Sequence, residues 1–383
     1  MILYRSVLKT GGGQDYSASY TATVNGVLQK SSCAYALSGN TTFNSPVTIG
    51  NNVKSCQYMF TGCTNFNQNI VIPDSVTDTR GMFSGCTNFN QNIVIPDNVT
   101  DTGYMFNNCT NFNQNIVIPD SVTDARFMFN SCKNLNQNIQ IPDNVTAISA
   151  MFNRCTNLNQ NIKIPESIED CSGLFYSCYT LNQKISIPEN VTKCSVMFQN
   201  CQMLNQEIQI PANVVNTTAM FRYCYNLNQS FSVNSEVASA MFVFCNSLNR
   251  PIVLGNVKNA YALLSYASNF NQDITIPNMT ENISCLLAHS MSFAKNIYVK
   301  GNLISRNGSL DTLGLLQNSN NSLRKNIWFN STLNAYFNKT GINNSIVGLE
   351  HNTSSATAIT WTSMTNGFYN TTYNIYCYNN YAG

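Results

Sequence analysis

A unit of 23 residues recurs along most of the chain. Its cysteine stands at intervals of 23 residues up to Cys224, and the last interval is 21. About a dozen copies, the outer ones degenerate, span roughly residues 34–330. A unit this short cannot bury its own apolar face, so successive units must stack and place each position on its equivalent one coil away. The cysteine column comprises Cys63, Cys86, Cys109, Cys132, Cys155, Cys178, Cys201, Cys224 and Cys245.

Several columns of the repeat are apolar in almost every copy, and these are expected to point inward. They are represented in the second full copy by Phe89, Ile93, Ile95, Val99, Met105 and Phe106. In the segment NIVIP, Ile70 and Ile72 alternate with Asn69 and Val71, which predicts a short strand that ends at Pro73. One strand per coil predicts a parallel β-sheet, with a turn at each Pro-Asp or Pro-Glu.

The pattern IPxxVTxxxxxFxxCxxLxxxI, repeated every 23 residues, resembles the BspA-type leucine-rich repeat. The MF…FNQ wording is also similar to a repeat of bacterial surface lipoproteins. The resemblance covers about three quarters of the chain. It implies a β-rich, right-handed leucine-rich-repeat-like solenoid, and a binding or adhesive role in bacterial surface, protozoal or phage proteins. It implies no catalysis.

Three regions are predicted from where the repeat begins and ends. Residues 1–33 form an N-terminal cap or attachment segment, residues 34–330 form the solenoid, and residues 331–383 form a C-terminal cap. A short helix is expected from Ser331 to Gly341, followed by a small β cap rich in Thr and Tyr. Caps at both ends are expected because open coil edges would pair with other molecules.

Charge and hydropathy exclude several classes of partner. The net charge is +2, only 10% of residues are charged, and no basic cluster occurs, which argues against nucleic acid. No apolar run is long enough to insert into a membrane. We also expect neither a signal peptide nor a covalent membrane anchor.

The repeated polar columns are interpreted as structural. The cysteines are expected to be buried free thiols, and neither a cofactor nor a metal is expected. The asparagine column from Asn67 to Asn271 is expected to satisfy the backbone at an inside corner. The acidic column that begins at Asp74 favours turn chemistry, with Ca²⁺ between coils as the alternative. No nucleophile, paired acid or phosphate loop is singled out, so no enzyme is predicted.

Positions that vary on a fixed scaffold are the candidate ligand or partner face. One group lies on the outward side of the predicted strands, and an aromatic group gathers around the cysteine column in the second half. Val71, Val94 and Val117 also form an outward apolar stripe. The aromatic group suits a glycan or protein ligand, and packing beneath a loop or at an oligomer contact is the alternative. The candidate residues are Lys163, Lys184, Glu207, Gln209, Tyr176, Tyr179, Tyr223, Tyr225, Phe244 and Tyr266.

The leading hypothesis is a non-enzymatic phage virion protein of the tail, baseplate or head fibre. Its solenoid would recognise the host surface or brace the particle, exposed on the virion. Its partners would be other virion proteins, a host-surface glycan or protein, and a second copy in a homo-oligomer. A bacterial cell-surface adhesin and a general protein-interaction scaffold are the alternatives.

Overall fold

The computed structural model describes residues 31–277 and 280–299, together with short strands at 27–28, 325–330, 362–363 and 368–373. Contacts divide the chain into two compact units, Met1–Ser167 (unit 1) and Ile168–Gly383 (unit 2). Among the described residues, no helix has the length and apolarity needed to cross a membrane.

Adjacent coils are joined by backbone hydrogen bonds along a run of tight turns. In the coil at residues 66–88, the amides of Gly81, Phe83 and Gly85 donate to carbonyl oxygens in the next coil at 2.8, 2.9 and 2.6 Å. The amide between two of them, that of Ser84, closes a turn inside the coil by donating to the Gly81 oxygen at 3.0 Å. Successive backbone amides therefore alternate between hydrogen bonds to the next coil and hydrogen bonds within the coil. The pattern recurs through both units, which confirms the predicted repeat solenoid.

A row of single-residue parallel bridges accompanies these turns. In unit 1 the bridges join Ser32, Ser55, Asp78, Asp101, Asp124 and Ala147 in succession. In unit 2 they join Asp170, Lys193, Asn216, Val237, Asn259 and Asn282. Each bridge fixes the register of one coil on the next.

Every coil between Tyr35 and His289 contains two residues in left-handed backbone conformation, four positions apart, with φ between 51° and 78°. A turn of type II needs a positive φ at its third residue, so two of the turns in each coil impose this conformation. We call these the first and second left-handed positions of the coil. In the coil at residues 66–88 they are Gly81 and Gly85.

The core of each unit is a continuous stack of phenylalanine rings. Phe60, Phe83, Phe106 and Phe129 stack face to face in unit 1, with centroids 5.5–5.6 Å apart. In unit 2, Phe175, Phe198, Phe221 and Phe242 stack at 5.6–5.7 Å. The columns predicted to be apolar and inward are buried, so that prediction is confirmed.

The cysteine and asparagine columns line the corners of the coil. Each cysteine of the column is buried and forms no disulfide, and Cys109 Sγ donates to the Phe83 carbonyl oxygen at 3.0 Å. Asn90 Oδ1 accepts from the backbone amide of Asn113 at 2.9 Å and from Gln114 Nε2 at 3.0 Å. The interpretation of the cysteines and the backbone bonding of the asparagines are confirmed. The expected inside corner is wrong for part of the asparagine column, since Asn136, Asn159, Asn205 and Asn249 are exposed. Within the described residues, no group of three or more His, Cys, Asp or Glu side chains is placed to hold a metal ion.

The predicted strand in every coil is wrong for most of the stack. The NIVIP segments alternate correctly, with Val71 81% exposed between buried Ile70 and Ile72, yet no strand forms in residues 50–230. Proline follows the segment in those coils and removes a donor from each ladder position. Strands β2 (Thr48–Ile49), β3 (Phe231–Val233) and β4 (Ile252–Leu254) form where proline does not follow. Strand β5 (Ile274–Ile276) forms although Pro277 follows it, so proline alone does not decide where strands form.

Apart from the single-residue bridges, parallel pairing among the described residues is found before residue 50 and from residue 231 onward. Strand β1 (Val27–Leu28) pairs with β2, and β3 pairs with β4. A sheet of five strands runs in the order β5-β6-β7-β9-β8. Its strands are β5 (Ile274–Ile276), β6 (Asn296–Val299), β7 (Lys325–Asn330), β8 (Thr362–Ser363) and β9 (Phe368–Tyr373).

The two predicted caps fall largely outside the described residues. Within 1–33, the described residues are β1 and 31–33. Within 331–383, β8 and β9 pair antiparallel with each other, and β9 pairs antiparallel with β7. The helix predicted from Ser331 to Gly341 lies outside the described residues.

Candidate functional site

The second left-handed position changes its residue type along the chain. The early coils place glycine there, the middle coils place small or polar residues, and the last four described coils place aromatic rings. The full series is Gly39, Gly62, Gly85, Asn108, Ser131, Arg154, Ser177, Asn200, Tyr223, Phe244, Tyr266 and His289.

The four rings of unit 2 form a stacked column, here called the aromatic ladder. Tyr223 and Phe244 have centroids 5.0 Å apart, Phe244 and Tyr266 4.4 Å, and Tyr266 and His289 4.1 Å. The planes lie within 17° of parallel. Because each ring comes from the same position of its coil, the spacing of the ladder is the spacing of the coils.

The ladder is built at a conformational cost. The φ angles of Tyr223, Phe244, Tyr266 and His289 are 63°, 61°, 60° and 59°. A left-handed conformation costs a residue with a Cβ about 1–2 kcal/mol, and Gly or Asn is the usual occupant. Bulky residues held in such conformations cluster at functional sites. Each stacked pair contributes about 0.5–1.5 kcal/mol, so the three pairs offset only part of the strain of the four residues. The early coils avoid this strain because they have glycine at the same position.

The faces of the inner rings are covered, so the ladder presents ring edges to solvent. Phe244 and Tyr266 each have a ring on both sides. The guanidinium of Arg222 lies 4.8 Å from the centroid of Tyr223, and Arg222 Nη2 donates to the Tyr223 hydroxyl at 3.0 Å. Arg222 Nε is buried and has no hydrogen-bond partner.

Exposed apolar side chains border the ladder. Of the eight exposed large apolar side chains in the described part of unit 2, five stand at the second left-handed position of a coil or at most three residues after it. Asn226 Nδ2 contacts Met203 Sδ at 3.5 Å, and the Tyr225 ring lies 6.3 Å from the Tyr223 ring. Tyr, Met and Arg are enriched where proteins contact each other. The exposed members are Tyr179 (39%), Met203 (51%), Tyr225 (37%), Tyr266 (38%) and Met291 (50%).

The structure brings together four of the ten predicted site residues: Tyr223, Tyr225, Phe244 and Tyr266. Tyr176 is half-buried and Tyr179 is exposed, and among the described ring contacts neither joins the ladder. The other four lie exposed on the outward extended segments. Lys163 belongs to unit 1, where Nζ is 3.5 Å from Asp143 Oδ1. Lys184, Glu207 and Gln209 belong to unit 2, where the Gln209 amide donates to Glu207 Oε1.

Two members of the site were missed from the sequence. His289 aligns with Tyr266 when the copies LLSYAS and LLAHSM are placed in register, so the repeat itself contained the signal. Burial lowers the pKa of His289, so the imidazole in the ladder is a neutral ring at pH 7. Arg222 carried no such signal, because the adjacent coils have Gln199 and Val243 at its position.

The stack of 23-residue coils and its surface ladder define a tandem-repeat solenoid protein. The chain belongs to the family described as "Mycoplasma protein of unknown function, DUF285". The family's repeat model matches residues 31–139, 96–186, 119–210, 146–252 and 210–300, which together span well over half of the chain.

Three solved structures are similar to the chain at low identity. A leucine-rich repeat protein from Bacteroides ovatus is 19% identical, with 64% of this chain and 82% of that chain covered and a TM-score of 0.42. A leucine rich cell surface protein from Faecalibacterium prausnitzii is 19% identical, with 70% and 76% covered and a TM-score of 0.44. A leucine-rich repeat protein from Eubacterium ventriosum is 16% identical, with 84% and 87% covered and a TM-score of 0.43.

These TM-scores are too low for those structures to define the fold of this chain, which rests on its own hydrogen-bond pattern. No curated protein matches the chain in sequence.

Proposed function

We propose that this chain is a non-enzymatic recognition protein, in which the solenoid is a rigid scaffold and the aromatic ladder contacts a protein partner. One observation carries the proposal. Aromatic rings occupy the second left-handed position in the last four described coils, where unstrained glycine serves in the first three. Glycine would occupy this position with less backbone strain, yet these coils place large side chains there at the surface.

The geometry of the rings favours a protein over a glycan at this surface. A sugar stacks on an open ring face, and the faces of Phe244 and Tyr266 are taken by neighbouring rings. Ring edges carry partial positive charge and pack against the faces of other aromatic side chains or against carbonyl oxygens. Together with Arg222 and the exposed Tyr and Met side chains, they have the composition of a protein-contact hot spot.

The setting proposed for this recognition is the exterior of a phage virion, with a bacterial cell surface as the alternative. Mass spectrometry of purified particles and of the cell-envelope fraction of the host separates them. Stoichiometric peptides in particles support the virion. Peptides confined to the envelope fraction support the adhesin and overturn the virion assignment.

The ladder itself is tested by binding to the fraction in which the chain is found. We expect the double variant Phe244→Asn/Tyr266→Asn to bind that fraction at least tenfold more weakly than the wild type. Asn is chosen because Asn108 and Asn200 hold the same left-handed position in other coils. Val253→Asn, at an outward position that is 61% exposed in unit 2, is the matched control and keeps full binding. Unchanged binding by the double variant would overturn the proposal.

A further inference from the structure

Three coils of unit 1 are nearly identical and differ sharply at one pair of positions. Residues 66–88, 89–111 and 112–134 share the wording FNQNIVIPD, VTD, MF and C. At the first left-handed position and the residue before it they carry Arg-Gly, Gly-Tyr and Arg-Phe. Among these three coils, these are the only two positions at which glycine in one coil is replaced by a charged or aromatic residue in another. An asymmetric site in a repeat protein needs such a local break.

The glycines of these pairs open space between the larger side chains. Gly103 stands in the stack between Arg80 and Arg126, so no side chain fills the middle of that column. At Gly81 the ring of Tyr58 takes the space, since a Cβ there would lie 2.2 Å from Tyr58 Cδ1. The result is a hollow of about 70 Å³ lined by Arg80, Gly103, Tyr104, Asp124, Arg126 and Phe127.

Two stacked rings form one side of the hollow. Tyr104 and Phe127 have centroids 4.7 Å apart, and both occupy left-handed positions, with φ of 59° and 57°. The guanidinium of Arg80 lies 5.5 Å from the Tyr104 centroid, and its Nε donates to the Tyr58 hydroxyl at 3.3 Å. As in the aromatic ladder of unit 2, aromatic residues hold strained positions at the surface.

Two ion pairs form the other side. Arg80 Nη1 lies 3.4 Å from Asp101 Oδ2, and Arg126 Nε lies 3.0 Å from both oxygens of Asp124. Burial alone would raise the pKa of Asp124, but the hydrogen bonds from Arg126 and the charges of Arg126 and Arg80 lower it. The lowered pKa keeps Asp124 ionised beside Arg126, and the formal charges of the two arginines and the two aspartates cancel.

The hollow thus offers hydrogen-bond donors and acceptors with no net charge. Arg80 Nη2 and Arg126 Nη1 make no hydrogen bond with any described protein atom, so their donors remain available. The carboxylate oxygens have further lone pairs. An ionic ligand would bring a charge that no group in this neutral hollow balances. A hydroxyl group both donates and accepts hydrogen bonds, so it matches a site that holds donors and acceptors side by side. Phe127 stacks on Tyr104 and the Arg80 guanidinium also lies over the Tyr104 ring, so the aromatic side offers ring edges, whose partial positive charge suits hydroxyl oxygens.

We propose that the hollow in unit 1 is a binding site for the edge of a neutral sugar ring, with two adjacent hydroxyls between Arg80, Arg126 and Asp124. This site is separate in residues from the aromatic ladder and does not depend on the function proposed for it.

The test is saturation-transfer NMR of the full chain with glucose, galactose, mannose and N-acetylglucosamine, and with acetate and methylguanidinium as ionic probes. We expect transfer to at least one sugar and none to either ion. Gly103→Arg fills the hollow with the residue that the two adjacent coils carry in this column, and it should reduce the sugar signal at least tenfold.

Two controls keep the result specific. Ser172→Arg adds the same side chain at the equivalent position in unit 2 and should leave the signal unchanged. Phe244→Asn/Tyr266→Asn should also leave it unchanged, so this proposal and the ladder can fail separately. The inference is overturned if no sugar binds, if only an ion binds, or if Gly103→Arg binds sugar like the wild type with an unchanged melting temperature.

Discussion

The imidazole of His289 stacks on the ring of Tyr266, with centroids 4.1 Å apart and planes 7° from parallel. The next ring along, Phe244, lies 4.4 Å from Tyr266, so the histidine continues a column of carbon rings. A charged imidazolium is less suited to this partly buried place than the neutral ring, and burial lowers its pKa.

This stacking predicts a pH-dependent stability. The folded state prefers neutral His289, so its contribution is complete above the ordinary pKa of 6.5 and is lost as the pH falls through the lowered folded value. We expect the melting temperature of the wild type to fall between about pH 7.5 and about pH 5.5, before most carboxylates titrate. His289→Phe should flatten that dependence. An equal fall in this variant would assign the effect to other groups.

The asparagine column predicts an acceptor requirement. Asn113 Oδ1 accepts from the amide of Asn136 at 2.9 Å and from Gln137 Nε2 at 3.1 Å. Asn113→Leu leaves the Asn136 amide without an acceptor, while Gln137 Nε2 keeps the Asn113 carbonyl oxygen at 3.2 Å, and should cost about 1–3 kcal/mol in unfolding free energy. Asn113→Asp retains an acceptor and should cost less in a denaturant titration. Equal losses would show that the column acts through its amide donors.

Two glycines at left-handed positions should differ in how much stability the protein loses when a side chain replaces them. Gly81→Ala puts a Cβ 2.2 Å from Tyr58 Cδ1 at a φ of 60°, and should destabilise unit 1 by about 1–3 kcal/mol. Gly62→Asn has its nearest atom at 3.6 Å and uses the residue type of Asn108 at the same position. Its melting temperature should stay close to that of the wild type. A loss as large as that of Gly81→Ala would show that the second position requires glycine in early coils.

The buried thiols predict chemical inertness. Burial raises the pKa of Cys56 and of Cys63 to about 12, so neither is a thiolate at pH 8. Native protein should therefore not release thionitrobenzoate from Ellman's reagent at these cysteines, whereas protein in guanidinium chloride should react fully. Rapid modification of Cys63 in the native state, located by peptide mapping, would contradict the burial of the cysteine column.

The repeat period and the inward columns could be predicted from the sequence because each coil repeats the same constraint. Val76 and Phe83 are apolar in copy after copy, and stacking turns that repetition into a core. The strands could not be predicted by the same means. Alternation at Ile70 and Ile72 fixes which side chain is buried, but it does not fix whether the backbone pairs in a ladder. The segment before Pro73 forms no strand, whereas the equivalent segment before Pro277 does.

The candidate site was predictable in part for a similar reason. Tyr223, Phe244 and Tyr266 drew attention as surface aromatics, yet their common left-handed backbone is a property of the turns. The glycines at this position in the early coils were the signal in the sequence, because glycine is the usual residue where φ is positive. Gly85 and Tyr223 occupy the same position of their coils. The alignment of these two residues therefore predicts that the surface aromatics have a strained backbone.

The most direct test of the ladder as a recognition surface is the melting temperature of Phe244→Asn/Tyr266→Asn, measured beside Phe242→Ala in the core. We predict that the double variant melts within a few degrees of the wild type, because relief of backbone strain offsets lost stacking. Phe242→Ala should melt far lower, since it removes a fully buried ring worth about 3–5 kcal/mol. A fall in the double variant as large as that of Phe242→Ala would make the ladder a packing element and contradict the account.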